Sequence, residues 1–386
     1  MRRGRVRAIW LGAVATGAAA LVAGFGIAQA ATQNAAATAP TLKKACGSKI
    51  SVQTDWFPEP EHAALYQLAG VNGTLDAKKG WYTGQIGKTG VFLEIRAGGP
   101  FTGFQQPISQ MYQDSSITLG YVNSDEAIQL SKKLPTVAIV APLEFSPQIL
   151  MWNPQKLNIN RFQDIGNSGA KVLVFEGGVW IDYLIARGWI NKGQIDTSYD
   201  GSPTRFVSSD GAIVQQGFAT SEPYDYEFNI KQYGKPVKYL MIRSSGYVPY
   251  PEPLAAKPDV LKAKRACFKL LVPMVQKAQV DYMKKPGPVN EKLVNIITDL
   301  KSFWVESSAG NAWNTKEQRR LGIVQNGPNC TLGDFNQKRM QQMINLLKPI
   351  YAAKGLDTYD PDLTAAKIGT NEFINPKIGL KTAKCK

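Results

Sequence analysis

The sequence holds one histidine, His62, in 386 residues. That excludes zinc or iron sites built from several imidazoles. Cysteine is also scarce, at four: Cys46, Cys267, Cys330 and Cys385, with no C-x-x-C spacing. So few cysteines exclude a disulfide-dense miniprotein, and the missing spacing excludes a structural zinc site. Charged residues make up only 19% of the chain, which excludes a disordered acidic or basic tail protein. Acids are the minority, 30 Asp and Glu against 45 Lys and Arg, for a formal net charge of +15. The basic excess is not organised into a dense Lys/Arg run, a zinc-finger spacing or an aromatic RNA-binding motif, so nucleic acid is not an expected partner. There is no G-x-S-x-G elbow, Walker loop or metal-spaced histidine pair. Beyond residue 30 no apolar run is long enough to span a bilayer.

What is present begins with an export signal. Arg2, Arg3, Arg5 and Arg7 form a positive start, Ala8 to Ile27 is apolar and uncharged, and Ala28-Gln29-Ala30 is an A-x-A cleavage site. This is the pattern of a secretory signal peptide, expected over 1–30, which places the protein in the periplasm or at the extracytoplasmic surface. An Ala/Thr-rich leader follows over 31–47. Lys43-Lys44-Ala45 before Cys46 is not the apolar-small pattern of a lipid-modified cysteine. An even cysteine count in an oxidising compartment implies two disulfides. Three pairings are open. The expected one joins Cys267 to Cys330 and Cys46 to Cys385, which would tie both chain ends to one lobe.

The body is 44% apolar and 10% aromatic, enough for two medium domains. Strand and helix signals alternate. Strands are expected over 49–54, 91–95 and 117–122, with helices opening near Pro58 and Ser124. Val137-Ala138-Ile139-Val140 reads as a central parallel strand, because it is apolar without alternation. A second unit of the same kind begins near residue 145. It has strands at 148–152 and 172–175, a helix from Gly177, and a strand–helix–strand run over 205–208, 210–216 and 218–220. From Pro258 the chain is mostly helical. The order predicts an α/β protein of two lobes: lobe one over 48–145, lobe two over 146–244, and a return to lobe one with C-terminal helices over 245–386.

Chemistry concentrates at strand ends, where open α/β sheets bind ligands. The densest stretch is Thr54-Asp55-Trp56-Phe57-Pro58-Glu59-Pro60-Glu61-His62. A Trp face stacks on a flat ring, and a carboxylate beside it binds a ring N–H or a cation. Tyr121 and Asn123 follow another strand. Gly177 and Gly178 precede Trp180 at a helix start, where backbone N–H groups approach a ligand. Glu222 and Tyr224 follow Gly217-Phe218-Ala219-Thr220-Ser221. Gly98-Gly99, Tyr247 and Tyr250 are weaker candidates of the same strand-end or crossover kind.

The stretch VQTDWFPEPEHAALYQL resembles the opening of substrate-binding proteins of ABC importers, in the superfamily that serves thiamine pyrimidines, nitrate, sulfonates and taurine. It is most similar to the pyrimidine-precursor branch, whose first strand ends in D-W-x-P-N and runs on to a His and a Gly-Leu-Tyr. Asp55, Trp56, Pro58, His62, Leu65 and Tyr66 match, while Glu59 replaces the Asn and Ala64 the Gly. Ser221-Glu222 stands where that branch has Asn-Glu at the end of a lobe-two strand. The likeness runs, more loosely, to about residue 285. It implies a type II periplasmic-binding-protein-like fold that closes on a small ligand and delivers it to a permease and its ATPase. It implies a monomer with no chemistry, cofactor or metal of its own, and the site Asp55, Trp56, His62, Tyr121, Asn123, Gly177, Gly178, Trp180, Glu222 and Tyr224. Two acids among aromatics favour an amino-bearing heterocycle such as a thiamine-type pyrimidine. A small anion is the alternative, and so is a pyrimidine-precursor synthase-like enzyme using His62.

Overall fold

The computed structural model describes residues 42–385; the expected signal peptide and nearly all of the leader lie outside the described residues. The first sheet contains β1 (Lys49–Gln53), β2 (Thr74–Asp76), β3 (Trp81–Gln85), β4 (Phe92–Arg96), β5 (Leu119–Tyr121) and β6 (Val137–Val140). The second contains β7 (Gln148–Trp152), β8 (Val172–Leu173), β9 (Ile195–Asp196), β10 (Val214–Phe218) and β11 (Lys238–Met241). The chain then returns to the first sheet as β12 (Leu254–Ala256). The orders are β2-β3-β4-β1-β5-β12-β6 and β11-β7-β10-β8-β9.

Both sheets repeat one scheme. β4, β1 and β5 are parallel, and β12 lies antiparallel between β5 and β6. β9, β8 and β10 are parallel, and β7 lies antiparallel between β10 and β11. In each sheet the strand that has just crossed from the other lobe is thus antiparallel to its neighbours, as is β3 in the hairpin-linked edge of the first sheet. β1 is buried from Ile50 to Gln53 on both faces, as a central parallel strand must be.

Helices cover the sheets: α1 (Ala63–Ala69), α2 (Pro107–Gln113), α3 (Ser124–Gln129), α4 (Val179–Ala186), α5 (Arg265–Lys284), α6 (Gly287–Leu300), α7 (Ser308–Arg320) and α8 (Gln337–Ala353). Ala63, Ala64 and Ala69 give α1 a narrow buried face against which α5 packs. α5 and α6 join the lobe-one core. α8 does more than brace lobe one, because it also packs on α4 of lobe two, and its Met340, Met343 and Leu347 belong to a core that includes Ile128 and Leu184. Among the described residues no helix is long and apolar enough to cross a membrane.

Four expectations are corrected. β6 is an edge strand, paired only with antiparallel β12 within the sheet. Its apolar character comes from cover by the C-terminal segment, where Thr370 N–H donates to Ala138 O at 2.9 Å and Gly369 bridges Ala138. Residues 205–208 are not a strand but part of a five-residue helix, Thr204–Ser208, too short to show a helical period. The expected helix over 210–216 is a turn followed by the first residues of β10, so the strand expected over 218–220 lies earlier, at Val214–Phe218. The disulfides join Cys46 to Cys267 and Cys330 to Cys385. α5 lies across the start of lobe one and buries Cys267 against Cys46, so each chain end is tied to the helical extension rather than to the other end.

The Cys46–Cys267 bond closes a loop of 221 residues. Replacing both cysteines by alanine is expected to lower stability by about 2–5 kcal/mol and Tm by several degrees. Calorimetry measures the loss, and peptide mapping without reductant is expected to recover the linked peptides Cys46–Cys267 and Cys330–Cys385. Recovery of a Cys46–Cys385 peptide would contradict the observed path of the chain.

Candidate functional site

The parallel strands of both sheets end on a common cleft of about 740 Å³. From lobe one, β1 delivers Asp55 and Trp56, β4 delivers Gly99 and Phe104, and β5 delivers Asn123. From lobe two, β8 delivers Phe175 to Gly178, β9 delivers Thr197 to Asp200, and β10 delivers Ser221 and Glu222. Tyr247, Pro251 and Glu252 close the hinge side, and Trp304 of the extension closes another.

The loop after β4 shows why glycines sit there. Gly98 and Gly99 N–H donate to Trp56 O and Asp55 O at 2.9 and 3.0 Å. A Cβ on Gly98 would lie 2.4 Å from Thr54 O, and one on Gly99, at φ +56°, would lie 2.9 Å from the Trp56 ring. The two glycines hold the Asp55–Trp56 turn by backbone contact alone.

Asp55, Trp56, Asn123, Gly177, Gly178, Trp180 and Glu222 all line this one cavity. His62, Tyr121 and Tyr224 do not. His62 is fully buried behind Asp55, with Nε2 2.9 Å from Asp55 Oδ1. Tyr121 lies against the imidazole, ring centroids 5.3 Å apart, and is equally buried. Tyr224 faces away and packs on Phe228 and Trp313. The Asn123 amide donates to Glu126, and its Oδ1 accepts the Glu252 N–H. Tyr247 donates to Asp125 at 2.6 Å, while Tyr250 is buried away from the cavity and its hydroxyl accepts the Asn336 N–H.

The site also contains residues that strand-end reasoning missed. Trp56 is flanked by Phe175 at 5.1 Å, Trp304 at 5.5 Å and Phe104 at 6.0 Å. Trp304 in turn stacks on Phe57 with ring planes 4° apart. The larger omission is acidic. Eight carboxylates line the cleft: Asp55, Glu59, Asp125, Glu126, Glu176, Asp200, Glu222 and Glu252. Among the described residues no Lys or Arg lines it. Burial pushes Glu126 and Glu222 up to about 8, reinforced by Asp125 and by Asp225 respectively. Burial, then neighbouring acids, holds Glu59 and Glu252 well above the usual carboxylate range. The cleft thus combines flat aromatic walls with protonatable oxygens and no fixed positive side chain. That is an acceptor surface for ring N–H, amino or cationic groups.

No family model matches the chain, and no curated protein matches its sequence. Solved structures do. A protein from Bordetella bronchiseptica RB50 aligns with a TM-score of 0.54 at 12% identity, covering 84% of this chain and 95% of that one. The periplasmic aliphatic sulphonate binding protein SsuA from Escherichia coli aligns with a TM-score of 0.53 at 13% identity, covering 81% of this chain and 90% of that one. At such identities the likeness concerns architecture, and the architecture is the two-lobed, periplasmic-binding-protein-like α/β fold.

Proposed function

We propose that this chain is an exported solute-binding protein of an ABC importer, in the thiamine-pyrimidine, nitrate, sulfonate and taurine superfamily. Its solute is a planar, amino-bearing heterocycle that carries positive charge, such as a thiamine-type pyrimidine. One observation carries the reading: an aromatic cleft between two lobes is lined by eight carboxylates and no Lys or Arg among the described residues, in a chain with a net charge of +15. Asp55 and Glu222 would face the solute's N–H groups from opposite lobes, and Trp56 would stack on its ring. Closure would then present a composite surface to the permease.

The anion alternative rests on the Gly177-Gly178 turn at the start of α4. A helix terminus contributes about 0.3–1 kcal/mol to a nearby anion. One ionised carboxylate about 6 Å away opposes an anion by roughly 3 kcal/mol at an effective dielectric of 20. Where the pH ionises several such groups, they outweigh one short helix. The enzyme alternative needs His62 in contact with substrate, and its full burial off the cavity wall supports binding rather than chemistry.

A thermal-shift panel tests the class. Thiamine and its aminopyrimidine precursors are expected to include a solute that raises Tm by several degrees, since a ligand at a hundred times its Kd adds about 2.7 kcal/mol. Taurine, alkanesulfonates, nitrate and bicarbonate are expected to leave Tm unchanged. A shift with an anion and none with a heterocycle would reverse the assignment. In calorimetry, Asp55→Asn and Trp56→Ala are each expected to weaken the heterocycle about tenfold or more.

The raised carboxyls set a pH signature. Glu126 and Glu222 titrate near 8, and Asp225 near 7, because burial disfavours their charged forms. Groups raised above their unfolded values stabilise the fold below the ordinary carboxylate range and lose that contribution as pH climbs through 7 to 8. Urea unfolding of ligand-free protein is therefore expected to show stability falling from about pH 5 to about pH 8.5. Glu222→Gln is expected to make the slope shallower. Affinity for a cationic solute is expected to rise over the same window, as the carboxyls ionise. Stability that climbs with pH would contradict the burial of these groups in neutral form.

A further inference from the structure

One corner of the cleft has a composition that a heterocycle does not require. Asp55, His62 and Glu252 each offer a donor atom, and the three atoms lie within 4.8 Å of one another. His62 Nε2 is 2.9 Å from Asp55 Oδ1 and 3.6 Å from Glu252 Oε2. Glu59 Oε1 also lies 3.6 Å from the same nitrogen. A four-coordinate divalent ion with bonds of about 2.0–2.2 Å holds its donors roughly 3.3–3.6 Å apart. The two glutamate spans already have that size. Asp55, the most exposed of these side chains, needs to withdraw by only a fraction of an ångström.

A separate observation points to a cationic ligand. Glu252 Oε2 has no hydrogen-bond partner, although the side chain is only 2% exposed and is aimed at the imidazole. A buried carboxylate oxygen without a donor is costly. The backbone commits to this placement: Glu252 sits between Pro251 and Pro253 at φ +50°, with its N–H bonded to Asn123 Oδ1. His62 Nδ1 is unpartnered too, while the Asp55 carboxylate 2.9 Å from Nε2 draws the ring proton to that nitrogen. An ion between Nε2 and the carboxylates would take the place of that proton and leave the ring's N–H at Nδ1.

We infer that Asp55, His62 and Glu252 form a binding site for one divalent first-row transition-metal ion, with Glu59 in reserve and one position facing the cleft. The donor set selects the class. One imidazole nitrogen with carboxylate oxygens suits Zn²⁺, Co²⁺, Fe²⁺ or Mn²⁺. Mg²⁺ and Ca²⁺ prefer all-oxygen surroundings, and Cu⁺ prefers sulfur. Asp55 and Glu252 line the cavity while His62 lies behind them, so an ion here would sit at the cavity wall, where a solute's ring nitrogen or carboxylate could reach it. The inference goes beyond the heterocycle reading and does not depend on it. Trp56, Phe175 and Glu222 remain free for a planar solute.

The test uses the chain from Ala31 without a histidine tag, oxidised and stripped with EDTA. Zn²⁺, Co²⁺, Mn²⁺ and Mg²⁺ are each added in equilibrium dialysis with elemental analysis, and in calorimetry. The expected result is one tightly held equivalent of Zn²⁺ or Co²⁺, visible d–d bands for Co²⁺, and no uptake of Mg²⁺. Glu252→Gln, which keeps the side-chain volume, and Asp55→Asn on the cavity wall are each expected to weaken Zn²⁺ binding about tenfold or more. His62→Gln is expected to abolish it, with circular dichroism as the check on folding. Asp76→Asn, at an exposed acid of β2, is expected to change nothing. Absence of stoichiometric uptake, or uptake that survives Glu252→Gln and Asp55→Asn, would overturn the site. Repeating the heterocycle panel in EDTA separates the two claims. A heterocycle shift without metal uptake leaves the transport reading standing and removes the metal; metal uptake without a heterocycle shift does the reverse.

Discussion

Burial of carboxyl groups without a matching basic side chain is the constraint on which the cleft depends. Asp55, Glu59 and Glu252 all lie within 3.6 Å of the nitrogen of a single imidazole. An ionised carboxylate taken out of water costs several kcal/mol even after relaxation. The fold meets that cost case by case. Glu61 accepts from Thr220 and Asn314, and Glu222 accepts from the Phe218 N–H. Burial, and then neighbouring acids led by Glu61 for Glu59 and by Asp55 for Glu252, pushes these two carboxyls toward the neutral form, and burial does the same to Glu222 despite its N–H donor. The chain is able to bury arginine elsewhere: Arg339 reaches Glu144 at 2.9 Å and three backbone carbonyls, and Arg96 bridges Glu94 and Asp114. Basic side chains are therefore kept from the cleft by position, not by any general inability of the fold to accommodate them.

The same acids help to hold the lobes together. Glu61, on the turn before α1, belongs to lobe one; Thr220 and Ser221 follow β10 in lobe two; Asn314 lies on α7. Asn314 donates to Glu61 at 3.1 and 3.2 Å and to Ser221 at 3.2 Å, so one buried network joins all three parts. On the aromatic side, Trp56 spans from lobe one to Phe175 of lobe two and to Trp304 of the extension. α8 packs on helices of both lobes. The helical extension thus contacts both lobes and is more than a brace on one. A parting of the lobes that separated Glu61 from Thr220 and Asn314 would exchange these partners for water, and so would be coupled to the hydration of a buried acid.

Much of this was legible in the residues, and the gaps have physical causes. Asp55-Trp56 after an apolar strand, and Gly177-Gly178 before a helix, carry local signals, and the structure places both on the cavity wall. The parallel strands were visible as apolar runs, but β6 shows the limit of that cue. A run buried by a neighbouring segment looks the same as one buried inside a sheet. The helix Thr204–Ser208 escaped because five residues complete little more than one turn. Glu252 and Trp304 escaped for another reason. Each lies in a loop whose role comes from contacts more than a hundred residues away in the chain, and no local period marks them. Glu252 did leave one cue, an acid between two prolines at the return crossover, where the backbone cannot relax into helix or a regular ladder.

The net charge of the chain misleads about the charge of its site. A formal +15 argues for an anionic partner if charge is treated as uniform, yet among the described residues eight acids and no Lys or Arg line the cleft. Screening decides between the two scales. At physiological salt the Debye length is about 8 Å, so exposed lysines across the surface contribute little at the cavity floor. Carboxyls a few ångströms from the solute act in a medium of low dielectric and are hardly screened. The surface charge therefore bears on solubility and on the approach of other molecules, while the buried acids determine what is held. A cationic solute meets weak repulsion at long range and strong attraction once inside. On the proposed reading, that combination would slow capture slightly and lengthen retention of a cationic solute.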